Sequence, residues 1–154
     1  MICEIKKLSS SDPMIRSCAT LEFECLKSMA WSTGQIEESI IKSTNFGYLY
    51  IASDKNALAV LSYYLQDDRA DVVNLAVDNG ARRLRLATRL MDALSNICLT
   101  CGAKVISLEY AYDNEAAAKF YEKYGFCKVG IRKSFYATPE GSRADAILCD
   151  YAVK

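Results

Sequence analysis

A long amphipathic helix between two apolar strands constrains the fold of this chain more than any other feature. From Leu84 to Cys101, apolar residues recur at intervals of three and four, and Gly102 stands where a helix C-cap belongs. Residues 70–77 before this helix and residues 105–109 after it are mostly apolar runs typical of strands. This order predicts two parallel strands that are joined by a helical crossover.

The rest of the chain reads as further strands and helices. Asp12 and Pro13 are expected to open the first helix as its N-cap and first helical residue, and Asn114 and Gly125 to bound the last one. The predicted order is β-α-α-β-β-β-α-β-α-β-β, so the fold class is α/β with a mixed sheet. The remaining elements are expected at about 2–7, 34–44, 47–53, 57–66, 126–135 and 144–153.

Composition limits the possible functions. The 154 residues suit a single domain, residues 1–154, because no repeat or linker divides them. The 19 basic and 19 acidic residues give a net charge of zero, which argues against a protein that coats nucleic acid. No apolar run approaches the roughly 18 residues of a membrane span, and the first residues lack the apolar core of a signal peptide. We therefore expect a cytoplasmic protein that binds neither membrane nor nucleic acid directly.

The chain contains no histidine, which excludes Ser-His-Asp and Cys-His catalysis and every histidine-ligated metal site. We expect no metal. The seven cysteines are an odd number without an export signal, so reduced thiols are expected. Cys98 and Cys101 have a close spacing, but no second pair accompanies them at zinc-ribbon spacing, which favours buried structural roles.

Four arginines lie where the strand ending at Val77 passes into the long helix. They are Arg82, Arg83, Arg85 and Arg89, and no acidic residue occurs from Asn79 to Met91. The first N–H groups of a helix lack internal partners, and with the helix dipole they form a site for phosphate or pyrophosphate. The alternative interpretation is a solvated arginine face on an amphipathic helix.

Glu109 and Tyr121 are the candidate catalytic side chains. Glu109 ends an otherwise apolar strand, and ligands of open parallel sheets bind outside such carboxyl ends. A partly desolvated carboxylate there is a candidate general base, whereas the alternative is a sheet-edge Glu paired with lysine. Tyr121 lies on the apolar face of its helix, where an aromatic residue is either part of the core or a hydrogen-bonding group.

Four motifs in unbroken order make the chain resemble GNAT-family acetyltransferases. The resemblance is strong from about residue 70 to 150, and it is greatest to ribosomal-protein N-terminal alanine acetyltransferases (RimI-like enzymes). The motifs are residues 74–78, 82–87, 108–109 and 114–126, and the tail Ile131 to Tyr136 with Gly141 and residues 144–146 strengthens the likeness.

The resemblance implies a GNAT fold of about seven strands and about four helices, with two central parallel strands splayed apart around acetyl-CoA. It implies that Glu109 is the general base and that Tyr121 is the general acid that protonates the leaving CoA thiolate. The implied contacts to the co-substrate are Leu75, Ala76, Val77, Arg82, Arg83, Leu84, Arg85, Leu86, Ala87, Thr88, Asn114 and Tyr121. The expected neighbours of the acceptor are Trp31, Tyr110, Tyr112 and Tyr136.

Arg85 departs from the family pattern, because glycine is usual at this position of the phosphate-binding loop. An arginine there either crowds the pyrophosphate or turns outward with the backbone still helical, and its charge could help to hold the phosphates. Asn79 also replaces a common proline. These changes concern the affinity for the co-substrate and leave Glu109 and Tyr121 in place.

Three hypotheses for function follow. The first is an acetyl-CoA-dependent N-acetyltransferase of a protein N-terminus, with a ribosomal protein as the expected partner and no covalent enzyme intermediate. The second keeps the reaction but changes the acceptor to a small amine such as a polyamine or an antibiotic. The third, motivated by Arg85, is a degenerate member that binds an acyl-CoA or a protein without catalysis. The sequence allows a monomer or a homodimer that forms through the C-terminal strands.

Overall fold

The computed structural model describes residues 4–138 and 140–154, which form one seven-stranded mixed sheet with four α-helices. The strand order is β1-β2-β3-β4-β5-β7-β6, and β4 and β5 are parallel while every other neighbouring pair is antiparallel. The elements are β1 (Ile5–Lys7), α1 (Ile15–Leu26), α2 (Thr33–Lys42), β2 (Phe46–Ser53), β3 (Asn56–Gln66), β4 (Arg69–Val77), α3 (Leu86–Cys101), β5 (Val105–Ala111), α4 (Glu115–Tyr124), β6 (Cys127–Ala137) and β7 (Arg143–Ala152).

The order of elements and the parallel crossover agree with the sequence prediction. The bounds of the strands agree to within two residues for β2 to β5, because turn residues punctuate this part of the chain clearly. The predicted first strand covers residues 2–7, of which 2 and 3 lie outside the described residues. In the described part of the chain, no helix is long and apolar enough to cross a membrane.

The parallel strands β4 and β5 separate soon after they meet. They pair through Arg69–Asp71 and Val105–Ser107, and both strands continue beyond these residues. The backbone of residues 73–77 on this side of β4 therefore faces a gap instead of a neighbouring strand. The register of β3 with β4 also shifts between Ser62 and Tyr63, which makes Val73 a bulge just where the gap opens.

Each face of the sheet has its own apolar core, because successive side chains of a strand alternate between the faces. Leu90, Met91 and Leu94 of α3 are fully buried against one face, together with Ile51 and Leu61 of the sheet. The opposite face is covered by α1 and α2, with Cys18, Ile36 and Tyr48 fully buried in its core. The gap between β4 and β5 therefore lies between two packed layers.

Two helices begin later than the sequence predicts. α1 begins at Ile15 instead of the predicted Pro13, and its N-cap is Met14; Asp12 Oδ1 accepts a hydrogen bond from the backbone N–H of Met14 at 2.9 Å in the turn that precedes the helix. The helix predicted from Leu84 begins at Leu86, because residues 79–84 form a 3₁₀ segment and Arg85 is left-handed. Leu84 is 60% exposed and is therefore not part of the apolar stripe of α3.

The helix ends agree better with the sequence than the helix starts. Gly102 (φ 86°) closes α3 in the left-handed conformation, and Gly125 (φ 123°) closes α4, at the predicted positions. The side chain of Asn114 accepts a hydrogen bond from Ala117 N and so caps α4. Cys98 is buried as predicted, but Cys101 is exposed on the last turn of α3, so the prediction of a buried pair is wrong for Cys101.

Candidate active site

A cavity of about 630 Å³ occupies the gap between β4 and the elements that follow β5. Its wall combines the end of β4, the start of α3, one face of α4 and the C-terminal end of α1. The lining residues are Cys25, Leu26, Leu75, Ala76, Val77, Arg82, Arg85, Leu86, Ala87, Thr88, Asn114, Ala116, Ala117, Phe120, Tyr121, Lys123 and Tyr124.

The structure brings most of the predicted co-substrate residues to this cavity. The three residues from β4, the loop residues Arg82 and Arg85, residues 86–88 of α3, and both Asn114 and Tyr121 line it. Arg83 and Leu84, both exposed on the 3₁₀ segment, are not among the lining residues. Sequence analysis did not identify Cys25, Leu26 or Lys123, which α1 and α4 contribute from distant parts of the chain.

Arg85 adopts the backbone conformation for which glycine is suited. Its φ of 55° and ψ of 35° are left-handed, and it is both the end of the 3₁₀ segment and the N-cap of α3. The backbone is therefore not helical at Arg85, contrary to the outward-turning helical alternative. A left-handed non-glycine residue costs about 1 kcal/mol or more. The loop thus keeps the shape that a glycine would give it, and it adds a guanidinium group to the cavity wall.

The cavity wall is positively charged. Arg82, Arg85 and Lys123 line it, and the described residues that line the cavity include no Asp or Glu. The first backbone N–H groups of the 16-residue helix α3 lie at the same end of the cavity, since residues 86–88 are lining residues. Three cations and a helix N-terminus suit a ligand that carries phosphate groups, and the exposed strand backbone suits an amide-containing chain.

Glu109 lies near the C-terminal end of β5, on the sheet face that carries α1 and α2. Its neighbours Leu108 and Tyr110 point the other way, into the core below α3 and α4. Its Oε1 accepts a hydrogen bond from Arg132 Nη2 at 3.3 Å. Its Oε2 is buried and has no hydrogen-bond partner within the described part of the chain, although 32% of the side chain is exposed. One oxygen is thus held by an arginine, and the other is available to a donor.

Tyr121 lies among aromatic rings at the cavity wall. Its ring centroid is 5.8 Å from that of Tyr110, 5.3 Å from that of Phe120 and 5.5 Å from that of Phe126. Burial raises the pKa of the Tyr121 hydroxyl well above its usual 10, and Tyr136 and Cys149 nearby raise it further. The hydroxyl therefore stays protonated at neutral pH and can act as a proton donor.

Tyr136 connects the surroundings of Glu109 and Tyr121. Burial raises the pKa of Tyr136, and the negative charge of Glu109 adds to this effect while Arg132 opposes it. Tyr136 follows a bulge of β6 at Ser134, whose backbone N–H donates to Asp145 Oδ1 at 2.8 Å and whose carbonyl accepts from Arg143 Nε at 2.6 Å. These two β7 side chains hold the bulge and thereby place Tyr136.

The other residues expected near the acceptor have different environments. Tyr110 packs against Tyr121, on the face opposite to Glu109. Tyr112 is 70% exposed at the end of β5. Trp31 is partly buried between α1 and α2, where its ring stacks on Phe46 at 5.5 Å. The structure therefore places Tyr136 in the electrostatic environment of Glu109, while Trp31 is partly buried and packs against the core under α1 and α2.

Two further residues near the site were not identified from the sequence. Arg132 pairs with Glu109 across 23 positions of the sequence, a distance at which no local pattern operates. Glu22 is fully buried in α1, among apolar residues. Its spacing from Cys18, Leu21 and Cys25 places it on the apolar face of the helix, and this was the signal that could have identified it.

Comparisons with known proteins identify the family of the chain. Residues 14–126 match the acetyltransferase (GNAT) family. The ribosomal protein bS18-alanine N-acetyltransferase of Haemophilus ducreyi is 30% identical over 118 residues, which are 77% of this chain and 80% of that protein. The chain belongs to the GNAT family of acetyltransferases.

Solved structures share the fold. The ribosomal-protein-S18-alanine N-acetyltransferase from Escherichia coli has a TM-score of 0.86 and 24% identity, over 99% of this chain and 95% of that one. An aminoglycoside 6'-N-acetyltransferase complexed with coenzyme A has a TM-score of 0.78 and 14% identity, over 98% and 97%. The predicted GNAT fold is confirmed, and the chain is an acyltransferase that uses acetyl-CoA.

Proposed function

We propose that this enzyme acetylates the N-terminal α-amine of a protein, and that this protein is a ribosomal protein. The relative from Haemophilus ducreyi is named for alanine acetylation of ribosomal protein bS18, which supports a protein acceptor. The observation that carries the catalytic assignment is the buried Oε2 of Glu109, which has no hydrogen-bond partner among residues 4–138 and 140–154 and lies near the end of β5 beside the splayed strands. We further propose that the enzyme works in the cytoplasm, where ribosomes are its source of acceptor.

Glu109 is the general base of the proposed mechanism. An ammonium group cannot attack a carbonyl, so the acceptor amine must lose a proton. Glu109 accepts that proton through Oε2, directly or by way of a water molecule, while Arg132 holds Oε1 and fixes the orientation of the carboxylate. A new N–C bond then forms at the carbonyl carbon of the acetyl group, and the C–S bond of the thioester breaks.

Tyr121 is the general acid. Tyr121 lines the cavity, and the raised pKa of its hydroxyl keeps the proton on the oxygen until a thiolate leaves. Tyr121 then donates the proton to the sulfur of the leaving CoA, and the second proton that the attacking nitrogen loses as it becomes an amide restores the Tyr121 hydroxyl, which completes the transfer without a covalent enzyme intermediate. Backbone N–H groups of β4 beside the gap are placed to stabilise the thioester oxygen.

The cavity wall holds the co-substrate in this proposal. Acetyl-CoA supplies the activated acetyl group, and the backbone of residues 75–77 binds its amide-containing arm. The N-terminus of α3 and the side chains of Arg82, Arg85 and Lys123 bind its phosphates, since all three cations line the cavity. Asn114 caps α4 and contacts the same ligand. Trp31, Tyr110, Tyr112 and Tyr136 remain the proposed neighbours of the acceptor, with Tyr136 nearest to Glu109.

The test compares three acceptors with purified enzyme and acetyl-CoA. They are a peptide with a free N-terminal alanine and an internal lysine, the same peptide with a blocked N-terminus, and the polyamine spermidine. We expect acetylation of the free peptide at its N-terminus by mass spectrometry, and no reaction of the blocked peptide. Faster acetylation of spermidine contradicts the protein acceptor. Binding of acetyl-CoA without any turnover indicates a degenerate member of the family.

A further inference from the structure

Glu22 connects three parts of the molecule with one buried carboxylate. It belongs to α1 and is 0% exposed. Its Oε1 accepts hydrogen bonds from Trp31 N at 2.9 Å and from Asn74 Nδ2 at 2.8 Å, and its Oε2 accepts one from the hydroxyl of Tyr48. Trp31 belongs to the connection between α1 and α2, Asn74 belongs to β4, and Tyr48 belongs to β2.

Two partners of Glu22 connect it with the proposed site: Asn74 immediately precedes the cavity-lining residue Leu75, and Trp31 is a proposed neighbour of the acceptor. Asn74 directly follows the Val73 bulge of β4, and its backbone N–H donates to Ser62 Oγ at 3.2 Å. The same Asn74 side chain donates to the carbonyl of Met29 at 3.3 Å. Glu22 and Asn74 together therefore attach residues 29–31, the connecting segment, to the start of the strand portion that borders the gap.

The burial of the Glu22 carboxylate costs free energy. A buried carboxylate loses its hydration, and the described hydrogen-bond partners of Glu22 are neutral groups. Apolar side chains would fill the same space under α1 without this cost. The carboxylate instead fixes the relative positions of three elements, because one donor from each must meet its two oxygens in a single geometry.

We propose that Glu22 is a positioning residue for acetyl transfer, which fixes the connecting segment against the β4 bulge and thereby sets the spacing between the acceptor and the thioester. This role rests on the proposed function, because the acceptor is expected beside Trp31. Glu22 does not touch the reacting atoms. Its effect reaches them through Trp31 on one side and through the strand from Asn74 to Val77 on the other.

Trp31 is the one tryptophan of the chain, and its fluorescence therefore reports on the connecting segment directly. We expect Glu22→Ala to shift its emission to longer wavelength and to increase its quenching by acrylamide. Glu22→Gln should stay close to wild type, because an amide oxygen still accepts from Trp31 N and Asn74. The matched control is Glu24→Gln, an exposed residue of the same helix. This arm needs neither acetyl-CoA nor an acceptor.

Kinetics with the N-terminal alanine peptide form the second arm. We expect Glu22→Ala to lower kcat/KM at least about tenfold, because a small misplacement of a bound substrate strongly reduces the rate of reaction. The loss should come mainly from the KM of the peptide, while the calorimetric Kd of acetyl-CoA stays within about threefold of wild type. Glu22→Gln should restore most of the activity. A purely structural defect would instead reduce the active fraction and lower kcat without a selective change in KM.

Asn74→Ala is the second variant, in case Glu22→Ala does not fold. It keeps the carboxylate and its bond to Trp31 but removes the link to β4, so we expect the same selective rise in KM. Wild-type fluorescence and kinetics in both alanine variants would overturn the proposal, and so would equal losses in Glu22→Ala and Glu22→Gln. A wild-type enzyme that acetylates no peptide contradicts the proposed function instead, and the fluorescence arm then decides the role of Glu22.

Discussion

Glu22 and Glu109 both belong to the face of the sheet that α1 and α2 cover, but their oxygens are used differently. Both oxygens of Glu22 accept hydrogen bonds, and the residue is completely buried. Glu109 has one oxygen paired with Arg132, while the other is buried and lacks a partner within the described residues. The same functional group therefore occurs once fully satisfied and once half satisfied.

The difference separates a scaffold role from a chemical one. A buried acceptor without a partner is costly, and native proteins keep such groups where a ligand or a reaction completes them. Both oxygens of Glu22 are engaged by protein donors and are shielded from solvent, so its carboxylate holds these partners in place and does not reach an acceptor amine. Exchange of the carboxylate for an amide should consequently reduce activity strongly at Glu109 and hardly at all at Glu22.

Glu109→Gln should produce the largest effect. The amide has the shape of the carboxylate but cannot accept a proton, so we expect kcat to fall by about 10² to 10⁴. The measurement is the rate of CoA release with the alanine peptide at saturating acetyl-CoA. Glu22→Gln is the matched comparison, and its kcat should stay within about threefold of wild type. Equal losses at the two positions would remove the distinction between them.

Tyr121→Phe should lower kcat by about 10² and leave the Kd of acetyl-CoA nearly unchanged, because the ring remains and only the proton donor is lost. The pH dependence gives an independent check. The pKa of Tyr121 is raised above 10, so its neutral, donating form persists throughout the neutral range and beyond. The kcat of the wild type should therefore show no loss of a general acid below pH 10. A fall in kcat near pH 8 that is absent in Tyr121→Phe would contradict the assignment.

The sequence predicted the parts of the site that local patterns determine. The crossover from β4 through α3 to β5 follows from apolar periodicity, and Asn114 and Gly125 bound α4 by their capping chemistry. The family motifs led to most of the cavity wall. The partners of Glu22 and Glu109 could not be predicted, because Glu22 bonds to Tyr48 and Asn74 at separations of 26 and 52 residues, and Glu109 pairs with Arg132 at a separation of 23. Such partners depend on how the layers pack, and no periodicity in one segment encodes them.

A pH series of stability tests whether Glu22 is a buried acid. Burial raises the pKa of Glu22 above its usual 4.5, although the bonds from Tyr48, Trp31 and Asn74 oppose the rise. The folded state then binds more protons than the unfolded state above this pH, so this group makes the free energy of unfolding decrease as pH rises from about 4.5. Glu22→Gln removes the effect, and its stability relative to wild type should increase with pH.

Urea unfolding of the two proteins between pH 4 and pH 8 measures this difference. Glu24→Gln should show no such trend, since Glu24 is exposed on the same helix. A relative stability of Glu22→Gln that falls with rising pH would mean that the three hydrogen bonds outweigh burial. Ionisation of Glu22 would then stabilise the folded state relative to the unfolded state.

Arg85→Gly should produce the smallest change, and its two effects should have opposite signs. Glycine relieves the left-handed backbone at φ 55°, which outweighs its greater freedom in the unfolded chain, so the free energy of unfolding should rise by about 0.5 kcal/mol. Loss of the guanidinium from the cavity wall should weaken the binding of acetyl-CoA about threefold to fivefold, and added salt should shrink this difference.

Arg83→Gly is the control, because Arg83 lies in the 3₁₀ segment and does not line the cavity. This variant should lose stability without a change in the Kd of acetyl-CoA. Tighter binding by Arg85→Gly would show that the arginine crowds the phosphates, and the cation-lined wall would then have to rely on Arg82 and Lys123 for its charge.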